Sequence, residues 1–171
     1  IVNDLTGTDL ATVNVSLAGT IRRTAGDGAA DVVIASATNR ADIVELFGAG
    51  TSLALLGLAA QLNVTGAEGA SDALVVNLLG GDDAFTATTL AAGIIRLTID
   101  AGAGNDTVLG SQGADVVLGG DGDDFVFGDN GNDTALLGAG DDVFQWDPGD
   151  GSDMVEGQAG TDRLLFFGAN A

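Results

Sequence analysis

The sequence predicts an all-β fold, a parallel β-solenoid (a β-helix running into a β-roll), and three observations predict it. Between residues 101 and 165 a nine-residue frame repeats seven times, with Gly at its fourth position and Asp at its sixth. The eighth position of every frame is apolar: Val108, Val117, Val126, Ala135, Phe144, Val155 and Leu164. The first hundred residues alternate apolar and polar side chains in short runs, the period of half-buried strands. A fixed short period marks coils that stack and bury their apolar faces against one another.

Residues 1–99 read as a β-helical lead-in with degenerate repeats, continuous with a repeat region at 100–171. In the lead-in Asp31, Asp42, Asp72 and Asp83 each precede a short apolar strand, at 32–34, 43–47, 73–76 and 84–86. Longer alternating runs lie at 10–17, 62–65 and 94–99, and Thr12-Val-Asn-Val-Ser-Leu17 is clean period-two alternation. Leu58-Ala-Ala-Gln-Leu-Asn-Val-Thr65 is echoed 32 residues later by Leu90-Ala-Ala-Gly-Ile-Ile-Arg-Leu-Thr98. This half is expected to be the same parallel solenoid with wider coils and mostly metal-free corners, with no helix beyond a turn near 88–92. Ile1 opens into alternation without an initiator Met or a signal peptide, so the chain is expected to be a piece of something longer.

Each frame of the second half divides in two. Its first six residues, such as Gly119-Gly-Asp-Gly-Asp-Asp124, form a turn in which glycine permits positive φ and inward-facing carbonyls. Its last three, such as Phe125-Val126-Phe127, suit a short strand with the middle residue buried. Two frames make one coil of 18 residues, so alternate turns stack along the same edge. Turns 101–106, 119–124, 137–142 and 157–162 line the first edge, and turns 110–115, 128–133 and 148–153 the second. The phase slips by two residues at Trp146-Asp147, which should bulge one edge and impair the site joining turns 128–133 and 148–153.

The invariant residues are those that hold a hard cation. The candidate metal-ligating aspartates are Asp106, Asp115, Asp124, Asp133, Asp142, Asp153 and Asp162, each free to share an ion with the turn stacked on it. The glycines that shape the carbonyl cradle are Gly102, Gly104, Gly113, Gly120, Gly122, Gly131, Gly138, Gly140, Gly151 and Gly160. Ca²⁺ fits best, because it takes six to eight oxygens in irregular geometry and uses backbone carbonyls readily. Zn²⁺ and Cu²⁺ want His or Cys, and the chain has neither. No EF-hand loop is present. Stacked turns allow several ions, up to about five.

These frames resemble the nonapeptide G-G-x-G-x-D-x-U-x of the RTX (repeats-in-toxin) calcium-binding family, where U is a large apolar residue. The copy most like it is Gly119-Gly-Asp-Gly-Asp-Asp-Phe-Val-Phe127, and the likeness spans residues 100–165. The resemblance implies a calcium-bound parallel β-roll, secreted by bacteria through a type I system to the cell surface or medium. Frames depart from the pattern at Ala101, Ser111, Asp129, Leu137, Pro148 and Gln158. The turns with Ser111, Asp129 and Gln158 are expected to bind more weakly, because position two needs the permissive backbone.

Charge agrees with a cation as the folded-state partner. The net charge is −20, and residues 100–171 carry −14 of it, from 14 Asp and 1 Glu against 1 Arg. Such repulsion needs neutralising. It excludes nucleic acid and anionic membranes as partners, since both need cationic patches. No apolar run is long enough for membrane insertion as a helix. High charge with 28 glycines also describes a solvating tail, but 46% of residues are apolar and recur in register with the glycines. Catalysis has little support: there is no His, Cys, Lys or Tyr, and the paired carboxylates at 82–83, 123–124 and 141–142 sit on or beside the metal frame.

The reading is therefore a secreted, non-enzymatic calcium-binding solenoid whose C-terminal half folds on the ion. Two alternatives are the non-catalytic C-terminal module of a secreted enzyme, and an adhesin, surface-layer or filament subunit. Leu109, Phe125, Phe127 and Val143, with Thr107 and Leu165, should share the outer face of one sheet, and Leu118, Leu136 and Met154 should lie on the other. The first set offers a surface for self-association or a neighbouring domain, against the plainer reading that thin rolls always expose some apolar side chains.

Overall fold

The computed structural model describes residues 10–19 and 26–168. The chain's opening alternation falls at 1–9, outside them. Fifteen strands and no helix occur among the described residues. They are β1 (Thr12–Ser16), β2 (Val32–Ser36), β3 (Ile43–Ala49), β4 (Ser52–Leu56), β5 (Gln61–Thr65), β6 (Ala73–Asn77), β7 (Ala84–Thr86) and β8 (Arg96–Ala103). Then come β9 (Thr107–Leu109), β10 (Asp115–Asp121), β11 (Phe125–Phe127), β12 (Thr134–Ala139), β13 (Val143–Trp146), β14 (Met154–Ala159) and β15 (Arg163–Phe166).

Two facing sheets make a solenoid of about five coils. One sheet runs β1-β5-β4-β3-β7-β9-β11-β13-β15 and the other β14-β12-β10-β8-β6-β2. From β7 onward the chain alternates strictly between them and every pairing is parallel. Residues at the same frame position therefore stack. Val44, Phe85, Val108, Val126, Phe144 and Leu164 form one inward column. Ala35, Val76, Ile99, Val117, Ala135 and Val155 form the other. These columns are the core, and all but their last members are buried.

The frame is not symmetric between the sheets. In the nine-stranded sheet β9 and β11 have the three residues expected, whereas β10 and β12 run on through the first turn positions. The outer-face sets fall as expected: Thr107 pairs with Phe125, and Phe125 with Val143, while Leu118 pairs with Leu136 on the opposite sheet.

The lead-in corrects one expectation. It is not a continuous parallel path, because β3, β4 and β5 form an antiparallel meander at the end of the nine-stranded sheet. Gly50, at φ 65°, closes the two-residue turn between Ala49 and Ser52. β1 then adds in parallel to β5. The repeat noted between residues 58–65 and 90–98 is not structural, since β5 and β8 belong to different sheets. Alternation specifies a strand and its buried face, but neither its partner nor its direction.

Candidate metal centre

The turns gather into two ladders of aspartates. On the first edge Asp42, Asp83, Asp106, Asp124, Asp142 and Asp162 are linked in order. The N–H of Asp106 donates to Asp124 Oδ1 at 2.8 Å, that of Asp124 to Asp142 Oδ1 at 2.8 Å, and that of Asp142 to Asp162 Oδ1 at 3.2 Å. The same bond runs from Asp42 to Asp83 and from Asp83 to Asp106, each at 2.7 Å. On the second edge Asp115 donates to Asp133 Oδ1 at 2.8 Å and Asp133 to Asp153 Oδ1 at 3.0 Å. The structure thus brings together all seven predicted aspartates, four on one edge and three on the other.

The second carboxylate oxygen of each rung decides the chemistry. Oδ2 of Asp83, Asp106, Asp124, Asp133 and Asp142 is buried with no hydrogen-bond partner. An ionised oxygen left so inside a protein is strongly unfavourable unless a cation or a proton meets it. Burial, against the pull of the Asp106 N–H and with neighbouring carboxylates adding to it, pushes Asp124 up to about 7. Burial likewise pushes Asp133 to about 8 and raises Asp106 and Asp142 above the ordinary carboxylate range.

The glycines supply the rest of the cradle. Gly102, Gly104, Gly120, Gly122, Gly131, Gly138, Gly140, Gly151 and Gly160 all have φ between 101° and 147°. Gly113 alone of the predicted set does not. A Cβ on Gly120 or Gly122 would collide with the carbonyl of Gly102 or Gly104 one coil back, so each turn's carbonyls press on the next turn. A Cβ on Gly119 would lie 2.6 Å from Asp124 Oδ2 and overlap the Leu137 carbonyl. A carboxylate from one turn and a carbonyl from the next therefore converge where a side chain is missing.

No group of three or more Asp, Glu, His or Cys side chains gathers among the described residues. The oxygens at hand in each corner are therefore a carboxylate from one turn and backbone carbonyls from the next. That donor set fits Ca²⁺, a hard cation that accepts carbonyls and irregular geometry.

Position two shows which departures matter to the backbone. Asp129 and Gln158 keep the positive φ of the glycines they replace, at 66° and 71°. Ser111 does not, and its turn is closed differently. Its N–H donates to Asp115 Oδ2 at 2.5 Å and its hydroxyl to Asp115 Oδ1 at 2.9 Å, so Asp115 has no free oxygen. Burial still raises Asp115 to about 6, opposed by both Ser111 bonds. Of the seven aspartates of the repeats, Asp153 and Asp162, on the last coil, are the least buried.

The RTX calcium-binding nonapeptide repeat model matches this region in four copies, over residues 100–135, 109–144 and 149–165. The repeat region carries RTX nonapeptide repeats and folds as a parallel β-roll. No curated protein and no solved structure matches the chain. RTX repeats bind Ca²⁺ in general, and the unpartnered Oδ2 atoms of these stacked turns are hard oxygens of the kind that ion accepts.

The Trp146-Asp147 insertion is absorbed locally. The Asp147 N–H donates to Asp150 Oδ2 at 2.5 Å, and the Asp150 carbonyl still accepts from Gly131 at 2.5 Å. The Asp133–Asp153 rung is kept across 20 residues instead of 18. Sequence reasoning passed over Gly149, which takes position two of its frame at φ 117°. It also passed over Asp83 as a rung, although Gly80-Gly-Asp-Asp83 is a visible signal.

Proposed function

We propose that this chain is a structural, non-catalytic calcium-binding solenoid whose repeat region, 100–171, completes its fold only when Ca²⁺ enters the stacked turns. The observation that carries the reading is the row of buried, unpartnered Oδ2 atoms at Asp106, Asp124, Asp133 and Asp142. Without a cation these oxygens and the 15 acidic residues after Ile99 oppose closure of the coils. With it, binding free energy becomes folding free energy. Residues 1–99 serve as a lead-in on which the first repeat coil stacks, sparing the roll the cost of nucleation.

A fold that waits for calcium suits export from a low-calcium cytoplasm into a medium of roughly millimolar calcium, the range of extracellular sites. We place the protein outside the cell or on its surface for that reason. Circular dichroism during a calcium titration tests the reading. β-structure should rise with calcium, and Asp124→Asn should need at least about tenfold more, roughly 1.4 kcal/mol. Complete β-structure in excess chelator would overturn it.

A further inference from the structure

We propose that the metal ladder begins one turn before the repeats, with a divalent-cation site between turns 78–83 and 101–106 served by Asp83 and Asp106. The proposal rests on the calcium reading above but adds a turn, 78–83, that lies outside the matched repeats. Leu78-Leu-Gly-Gly-Asp-Asp-Ala-Phe-Thr86 carries Gly, Asp and a large apolar residue at frame positions four, six and eight.

Its backbone behaves as a full member of the ladder. Leu79 holds φ 79° and Gly81 φ 119°, the conformations of Gly102 and Gly104 one coil on. Leucine rarely takes a left-handed φ, and such strain persists where surrounding structure imposes it. The carbonyls of Leu79 and Gly81 press on Gly102 and Gly104 as those of Gly102 and Gly104 press on Gly120 and Gly122. Asp82 Oδ1 accepts from the Asn105 N–H at 2.9 Å, as Asn105 Oδ1 accepts from Asp123 at 2.9 Å.

The carboxylate oxygens separate this corner from its metal-free neighbours. Asp72 spends both oxygens on the N–H groups of Asp31 and Glu68, at 3.0 and 2.9 Å. Asp42 Oδ2 accepts from the Thr38 N–H and hydroxyl, both at 2.8 Å. Asp83 is 2% exposed, as is Asp106, and the Oδ2 of each has no partner. By the same criterion Asp115, satisfied by Ser111, is the weakest rung within the repeats.

The test compares wild type with Asp83→Asn, Asp124→Asn and Asp42→Asn, counting bound calcium by nondenaturing mass spectrometry and melting each in chelator and in calcium. Asp83→Asn should bind one ion fewer and gain less from calcium, yet melt no lower than wild type in chelator, where the change removes an unpaired buried charge. Asp42→Asn should keep the full count. An unchanged count in Asp83→Asn, or an equal loss of melting temperature in both media, overturns the proposal. A wild type that binds no calcium overturns the underlying reading instead, and a count lowered by Asp124→Asn alone leaves that reading standing and sinks only this one. Should Asp83→Asn not fold, hydrogen exchange on the wild-type chain decides. Amides at 81–83 should slow when calcium is added, together with those at 122–124, and slowing confined to 122–124 overturns the proposal.

Discussion

The indole of Trp146 lies flat on the ring of Phe166, with centroids 4.6 Å apart and planes 4° from parallel. Trp146 ends β13 and Phe166 ends β15, so the stack forms only when the last coil closes on the one before it. The indole N–H also donates to the Gly151 carbonyl at 3.4 Å, tying it to the sixth turn. Trp146 is the only tryptophan and reports that closure. Its emission should shift during a calcium titration, and Phe166→Ser should flatten the shift while most of the circular dichroism change survives. Equal loss of both signals would mean that the stack is needed for the whole roll.

Acid should substitute in part for calcium. In the metal-free fold Asp115, Asp124 and Asp133 titrate at about 6, 7 and 8, above the value of about 3.9 of an unfolded chain. A carboxyl raised on folding contributes stability that is fully present below the unfolded value and lost as pH rises through the folded one. In chelator, β-structure should therefore fall between about pH 4 and 8. In calcium the sign reverses, because protons compete with the ion for the same oxygens. Asp124→Asn with Asp133→Asn should flatten the chelator profile, and a flat wild-type profile from pH 5 to 8 would contradict the assignment.

The repeat half was legible because its period is exposed in the sequence: every 18 residues a Gly-x-Asp returns, and the structure stacks Asp106, Asp124 and Asp142 at that spacing. Asp83 was hidden because its coil spans 23 residues, the extra length lying on the opposite edge around 87–95, which breaks the phase. Ser111 read as a lost glycine, whereas its hydroxyl supplies Asp115 with an internal partner. The β3–β4–β5 meander was illegible for another reason. Alternation in residues 43–65 fixes which side chains are buried, and the two reversals are set by the Gly50 turn and by the turn after Leu56, where Gly57 holds φ 91°.

Gly119 and Gln158 should respond in opposite ways to exchange. Gly119 has an ordinary φ, so alanine there is conformationally allowed, yet its Cβ would sit on Asp124 Oδ2 and the Leu137 carbonyl. Gly119→Ala should raise the calcium needed for folding at least about tenfold, about 1.4 kcal/mol. Gln158 is exposed and holds φ 71°, so Gln158→Gly should relieve strain and stabilise the roll by about 0.5–1 kcal/mol. Melting in calcium measures both, and a destabilised Gln158→Gly would show that its side chain contributes more than its backbone strain costs.

The last coil should be the least stable part of the roll. Its inward residues Val155 and Leu164 are 38% and 59% exposed, whereas Ala135 and Phe144, one coil earlier, are 1% exposed each. Few buried apolar contacts mean a low free energy of local opening. Amides of β14 and β15 should therefore exchange faster than those of β10 and β11 in saturating calcium. Phe144→Ala should cost about 3–5 kcal/mol, and Leu164→Ala less than about 1. Should Leu164→Ala cost as much as Phe144→Ala, the uncovered face is buried in solution. A melting temperature that rises with protein concentration would then identify a second copy of the chain as its cover.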